Sequence, residues 1–484
     1  MLHVGDGHVA KMEPSQSGSG VGAFAASKRA WSKLQESQGQ SSPVNMIVKG
    51  ATSFQTHIGP WSVRDLTLGL AAMAKVAEKE PPPPPGEPNE ELSKDSEFLA
   101  RAQHWRAIAE AVYVCDGSSF SLMSHLPESL LVHAEWNPDQ NSLRPTYTVS
   151  IDAPYNAVVL AIRGTSHVVD MLVNSGACPE DFRGGKSHAG FAHATEVLLK
   201  EAEPHIKRAF EQAKEVEKER GTEMKLVLTG HSMGGAVGIM CAFTLRDSYP
   251  SIECWSYSTP ACLSHELAVE SAEFATSFVS AYDVVPRFSF AAVEGLRKQL
   301  EEFDWEHAKS LLKDDPDWQN IEKAVNAMQG MQRKVSDGVD GVKRQMGVGD
   351  GGQDEGKAQE QQRQGNGKEK EKEDTQTQDG QQQKLDPPAL YPAGRLLVLV
   401  ADPPGCGKIP ENRSNVPQQR NYGAYPSFEE NLNTKWTLRE ARHKEFLQLV
   451  VSPWSVSDHM LGNLSEGLGY LQSHCPPIPL SSSS

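Results

Sequence analysis

The segment Gly230-His231-Ser232-Met233-Gly234 constrains this chain more than any other. It directly follows the apolar run 224–229, which reads as a buried strand. It leads into Gly234-Gly235-Ala236-Val237-Gly238, the small-residue start of a helix. Strand, GxSxG and helix together describe a sharp turn that holds a serine hydroxyl exposed at its apex. A bulkier residue two places before or after the serine would collide with the neighbouring strand and helix. The chain must therefore pass from strand to helix through Ser232, a candidate nucleophile.

The rest of the chain is consistent with a large core diluted by polar segments. Of 484 residues, 38% are hydrophobic, yet the mean hydropathy is −0.49, lower than one continuous folded unit would give. A formal net charge of −16 argues against nucleic acid as a partner. The seven cysteines are odd in number and scattered, without CxxC or metal-ligand spacing. They read as reduced thiols in an intracellular setting. No uninterrupted apolar stretch approaches the 18 residues or so of a membrane span. The N-terminus lacks the charged and apolar regions of a secretory signal; an organellar transit peptide within 1–45 stays open.

Residues 1–45 are Gly-, Ser- and Gln-rich and expected to be unfolded. Residues 55–80 carry helical spacing, and the prolines 81–85 read as a stiff spacer, with an SH3-type ligand as the sharper alternative. The core is expected to begin near Phe98 with a helix over 102–115. Strands are expected at 144–151, an edge by its alternation, and at 157–162, whose unbroken apolar run needs cover on both faces. Further strands are expected at 224–229, 252–257, 277–281, 395–400 and 446–451, with a long charged helix over 191–220 stopped by Gly221. Strands separated by helices imply an α/β fold with a mainly parallel sheet flanked by helices. An insertion precedes the last strands: helices over 291–331, then the Gln/Lys/Glu/Asp/Gly-rich stretch 349–386, too polar to fold alone. The expected divisions are an N-terminal extension (1–97), the core in two parts (98–289 and 387–470), the insertion (290–386) and a disordered tail (471–484).

A serine nucleophile needs a base within hydrogen-bond reach and a carboxylate to orient that base. In chain order the acid and then the base follow the serine. Asp283, in Tyr282-Asp283-Val284-Val285-Pro286-Arg287, sits just past a strand end. Downstream histidines are His307, His443, His459 and His474. His459 is favoured because it follows the expected strand 446–451 at the correct end of the sheet. Two donors must meet the oxyanion: the backbone N–H of Met233, and Thr165 in Arg163-Gly164-Thr165, which follows the strand 157–162.

With these residues in place the chain resembles the class 3 (fungal-type) lipase family, in its sn-1-specific diacylglycerol lipase-like branch. The resemblance rests on Ala161-Ile162-Arg163-Gly164-Thr165, Asp170, His188-Ala189-Gly190-Phe191, Gly230-His231-Ser232-Met233-Gly234-Gly235, Asp283-Val284-Val285-Pro286-Arg287, Leu390-Tyr391-Pro392-Ala393-Gly394-Arg395 and Ser457-Asp458-His459. It implies an α/β-hydrolase fold, a Ser232–Asp283–His459 triad and Thr165 as an oxyanion residue. It also implies an amphipathic lid over about 166–178, with Val168, Val169, Met171 and Leu172 on its apolar face. The branch's regulatory insertion agrees with the long stretch after Asp283; the four-helix membrane anchor of its best-known members has no counterpart here.

The expectation is a serine esterase acting on a glycerolipid at a membrane surface, by peripheral contact, from a cytoplasmic or membrane-associated location. A phospholipase A1 or galactolipase is the alternative enzyme; a catalytically silent signalling scaffold is the alternative from another class. No cofactor or metal is expected, and calcium regulation and protein partners are not readable from the sequence. Pro403-Pro404-Gly405-Cys406-Gly407-Lys408 is a decoy phosphate loop: Asp402 and Ile409 stand where Gly and Ser or Thr are needed.

Overall fold

The computed structural model describes residues 63–139, 143–165, 179–323, 389–404, 434–455 and 457–475. Residues 63–321 and 389–475, where described, belong to one compact unit. The expected unfolded 1–45, the lid with Asp170, and the polar stretch 349–386 lie outside the described residues.

The strands are β1 (Glu87–Pro88), β2 (Leu131–Glu135), β3 (Tyr147–Asp152), β4 (Ala157–Ile162), β5 (Pro179–Phe182), β6 (Gly185–His188), β7 (Lys225–His231), β8 (Glu253–Tyr257), β9 (Ala275–Ser280), β10 (Arg395–Asp402) and β11 (Lys435–Ala441). The helices used below are α1 (Val63–Lys79), α2 (Ser96–Ala111), α3 (Ala189–Arg220), α4 (Met233–Leu245), α5 (Phe290–Glu301), α6 (Trp305–Leu311) and α7 (Leu461–His474). Nine strands form one sheet in the order β1-β11-β10-β9-β8-β7-β4-β3-β2. β4, β7, β8, β9 and β10 run parallel. β2, β3, β11 and β1 add antiparallel wings at the two edges. This is a helix-flanked, mainly parallel α/β-hydrolase sheet.

The unbroken apolar run of β4 divides by period two. Val158, Leu160 and Ile162 join the core under α3 and α4. Ala157, Val159 and Ala161 join the opposite core with α2 and α7. Both faces are covered, so no position can be polar, as the sequence pattern requires. The long helix α3 stops where Gly221 turns left-handed at φ +66, its N–H donating to the Glu217 carbonyl at 2.8 Å.

Several expectations are corrected. The strand expected at 446–451 is instead a short helical turn, His443–Phe446, followed by loop. The last strand is β11, whose alternation of exposed Lys435 and Thr437 with buried Trp436 and Leu438 marks one face on the core. The strand β3 is not the edge, because β2 pairs outside it. The core does not begin at Phe98. Leu66 and Leu70 of α1 lie in the main hydrophobic cluster, and a Cβ on Gly69 would meet Leu300 Cδ2 at 2.5 Å, which places α1 directly against the Leu300 side chain of α5. The insertion likewise starts inside the core, with Ala292, Val293 and Leu296 fully buried. At the other end α7 reaches His474 and buries Leu471, so the division at 471 falls inside a packed helix.

The proline run is not a free spacer. Pro85 and Gly86 are buried, β1 pairs with β11, and the Tyr282 hydroxyl donates to the Pro82 carbonyl at 3.1 Å.

Candidate active site

Ser232 sits between β7 and α4 at φ +58, ψ −126, a left-handed strain of roughly 1–3 kcal/mol that the surroundings must hold. Its N–H is fixed to the Tyr257 carbonyl at 2.8 Å. Glycine is obligatory on both sides. A Cβ on Gly230 would lie 2.5 Å from the Gly234 carbonyl carbon, and one on Gly234 would drive into the Ile162 carbonyl. The tight turn therefore comes from β4 and α4 packing against backbone.

Asp283 lies in the turn after β9, essentially fully buried, with the Val285 N–H donating to its Oδ1 at 2.9 Å. His459 ends the short helical turn Ser457–His459 before α7. Its Nδ1 lies 3.1 Å from both Asp283 carboxylate oxygens, and its Nε2 lies 3.1 Å from Ser232 Oγ. With Nδ1–H donating to the carboxylate, Nε2 is left to accept from the serine hydroxyl. The structure thus brings Ser232, His459 and Asp283 into one hydrogen-bonded line. The other histidines are engaged elsewhere: His307 with Glu80 at 2.8 Å, His443 with the Gly394 carbonyl at 2.9 Å, His474 with the Tyr470 carbonyl at 2.8 Å.

Met233 is the first residue of α4, so its N–H is one of the helix's donors without an intrahelical acceptor. The Arg163-Gly164-Thr165 loop borders the nucleophile: a Cβ on Gly164 would lie 3.2 Å from Ser232 Cβ. The lid residues Val168, Val169, Met171 and Leu172 lie outside the described residues.

A second set of residues, to which the sequence reading gave no role, surrounds this line. The Gly164 N–H donates to Tyr113 Oη at 3.1 Å, and Tyr113 Oη lies 3.0 Å from His231 Nδ1. The other ring nitrogen, Nε2, lies 2.8 Å from the His459 carbonyl oxygen. A carbonyl can only accept, so Nε2 carries the proton and Nδ1 accepts from the tyrosine. Burial, aided by the neighbouring His459, pushes the His231 pKa down to about 3, which keeps this ring neutral. A polar residue ending an otherwise apolar strand was the available signal for His231; Tyr113 had none.

Asp458 is a second buried carboxyl beside this line. It accepts from the Tyr282 N–H at 2.9 Å and from Asn463 Nδ2 at 3.2 Å. Burial, reinforced by the charge of Asp283, pushes it up to about 7. Arg287 balances the acids. It donates to the Glu445 and Ala281 carbonyls at 3.1 Å each. Burial lowers its pKa to about 10, against the pull of Asp283 and Glu445, so it remains a cation at neutral pH. Among the described residues no group of three or more His, Cys, Asp or Glu is placed to hold a metal ion, and no helix is long and apolar enough to cross a membrane.

Residues 159–293 match the class 3 lipase family. Human diacylglycerol lipase-alpha is 33% identical over 162 residues, covering 32% of this chain and 15% of that protein. Mouse diacylglycerol lipase-beta is 29% identical over 163 residues, covering 32% of this chain and 23% of that protein. The chain therefore matches well under two thirds of either relative's length. Lipase II from Rhizopus niveus is 17% identical, with a TM-score of 0.34 over 41% of this chain and 77% of that one. The segment that holds Ser232 and Asp283 thus matches the class 3 lipase family and is similar to the diacylglycerol lipases over about 160 residues.

Proposed function

We propose that this chain is a serine-dependent lipase that hydrolyses acyl esters of glycerolipids, of the diacylglycerol type and at the sn-1 position, by peripheral contact with a membrane surface. The observation that carries the reading is the line from Ser232 Oγ through His459 to Asp283, with 3.1 Å at each step.

In this scheme His459 Nε2 takes the Ser232 proton as Oγ attacks the ester carbonyl. Asp283 holds the imidazole in its reactive tautomer and offsets the imidazolium charge. The developing oxyanion is met by the Met233 N–H and by the N–H and hydroxyl of Thr165. The imidazolium then protonates the leaving alcohol, and water, deprotonated by the same ring, releases the fatty acid from the acyl-enzyme. No step of the scheme calls for a cofactor or metal. The diacylglycerol preference is drawn from the relatives' names.

The test is fatty-acid release from diacylglycerol, monogalactosyl lipid, phosphatidylcholine and triacylglycerol vesicles or emulsions, for the wild type and Ser232→Ala. Release from diacylglycerol that vanishes in the variant is expected. Ser232-dependent release from a phospholipid or galactolipid alone would replace the diacylglycerol assignment. A folded protein inert on all four lipids and on a soluble short-chain ester would leave a lipase-like scaffold instead.

A further inference from the structure

The segment 80–89 connects two parts of the compact unit by contacts that extend to the turn carrying Asp283. At its start Glu80 bonds His307 at 2.8 Å, and one turn back in α1 Lys75 pairs with Asp317 at 2.9 Å. Next, the Pro82 carbonyl accepts from Tyr282 Oη at 3.1 Å. Then the Pro85 and Gly86 carbonyls accept from Arg439 Nε at 3.2 and 3.0 Å, and the Gly86 N–H donates to Glu445 Oε2 at 2.7 Å. Finally β1 pairs with β11, and Asn89 Nδ2 donates to Glu440 Oε2 at 2.8 Å.

Two of these contacts lead straight to the proposed acid. Tyr282 is 5% exposed and immediately precedes Asp283. Its ring packs on Trp454 at 5.3 Å, and its N–H is bonded to Asp458, the neighbour of His459. One residue thus touches the proline segment, precedes the acid and contacts the loop of the base. The second route runs from Gly86 to Glu445, from the Glu445 carbonyl to Arg287, and from Arg287 to the Ala281 carbonyl. Asp283 is bracketed by the two anchors, Ala281 and Arg287.

The sequence of the segment suits such a device. Proline carbonyls are free acceptors, because a polyproline stretch forms no internal hydrogen bonds. A chain already confined in φ loses little entropy on docking. Gly86 stands at φ +79, where a Cβ would lie 2.5 Å from the Glu440 carbonyl oxygen, so only glycine turns the strap onto β11.

We propose that the proline strap 81–88 is a positioning element of the active site, acting through Tyr282 and Arg287 to hold Asp283 against His459. The proposal rests on the triad reading above. It makes a segment far outside the family match part of the functional unit.

The experiment uses the 484-residue chain with Tyr282→Phe, Gly86→Ala and, as a control outside the strap, the exposed Leu122→Ala. Active sites are titrated with a fluorophosphonate that labels Ser232, and kcat and KM are measured per titrated site on a soluble short-chain ester. Tyr282→Phe and Gly86→Ala are expected to lower kcat per labelled site about fivefold to tenfold, the scale of one positioning hydrogen bond. KM is expected to stay unchanged, as is kcat in the Leu122→Ala control. A merely structural strap would lower the titratable fraction or the melting temperature and leave kcat per site intact, which would overturn the proposal. Ester turnover that survives Ser232→Ala would instead overturn the triad reading and the strap with it.

Discussion

His231 Nε2 donates to the backbone carbonyl of His459 across 2.8 Å. The residue before the proposed nucleophile therefore holds the loop of the proposed base. On its other side the same ring accepts from Tyr113, which also receives the Gly164 N–H. Nucleophile turn, base loop and oxyanion loop are thus joined by one neutral imidazole and one phenol.

Tyr113→Phe should loosen this junction without opening a cavity. The substitution strands two buried groups, the Gly164 N–H and His231 Nδ1, each of which costs roughly 1–3 kcal/mol when unpaired. Part of that penalty falls on the reacting geometry, so kcat on a soluble ester should drop about tenfold with little change in KM. A variant with unaltered kcat would show that the relay is dispensable.

The two buried titratable neighbours of the site oppose each other in pH. His231 is held at about 3 in the fold against an ordinary 6.5. Below 6.5 the unfolded chain takes a proton that the native ring refuses, so this group loses stability as pH falls from 6.5 toward 3. Asp458 is held at about 7 against 3.8. Above 3.8 the unfolded chain releases a proton that the native carboxyl keeps, so this group loses stability as pH rises from 3.8 to 7. Between about 4 and 6.5 the two slopes cancel. Asp458→Asn should remove one of them. Unfolding free energies from urea melts between pH 6.5 and pH 5 should fall more steeply with falling pH in the variant than in the wild type, by about 1.4 kcal/mol per pH unit. Parallel curves would refute the opposition.

What the sequence disclosed and what it withheld differ in range. β4 was legible because two-sided burial forces every residue to be apolar, a local signature, and β7 because its centre Leu226–Leu228 is apolar and runs straight into the GxSxG turn. The nucleophile turn was legible because Gly230 and Gly234 are demanded by backbone contacts that no side chain could satisfy. β11 was missed although Lys435 to Leu438 alternate, because the apolar run 446–451 offered a stronger match. That run is buried by loop packing rather than by a ladder: Phe446 lies under the Arg287 guanidinium at 4.9 Å. His459 was thus favoured through a strand that does not exist, while its place at the end of the Ser457–His459 turn, in hydrogen-bond reach of Ser232 and Asp283, stands on its own geometry. The docking of the prolines was not legible at all. It uses main-chain carbonyls against Arg439 and Tyr282, more than a hundred residues away in sequence, and proline runs carry no mark of whether they are docked.

The N-terminal helix gives a prediction on stability. Leu70 is fully buried in the main cluster, although an N-terminal extension was expected there. Leu70→Ala should cost about 2–5 kcal/mol, the range for truncating a buried leucine. A change below about 0.5 kcal/mol in denaturant melts would return α1 to the status of an appendage.

Thr165 allows the backbone and the side chain of the oxyanion loop to be separated. Thr165 ends the loop that Gly164 anchors beside Ser232, and its hydroxyl and N–H are both offered to the oxyanion in the proposed scheme. Thr165→Val keeps the N–H, the branched shape and the volume, and removes only the hydroxyl. If that hydroxyl meets the charge in the transition state, kcat should fall on the order of 10²–10³ with KM little changed, since the ground-state carbonyl gains much less from the donor than the oxyanion does. Thr165→Ser restores the hydroxyl and should recover most of the rate. Gly164→Ala is the contrasting case. Its Cβ would stand 2.5 Å from both Tyr113 Oη and the His231 carbonyl oxygen, so it should damage the whole loop even though the Thr165 hydroxyl is intact. Full kcat in Thr165→Val would leave the two backbone N–H groups as the only oxyanion donors of the scheme.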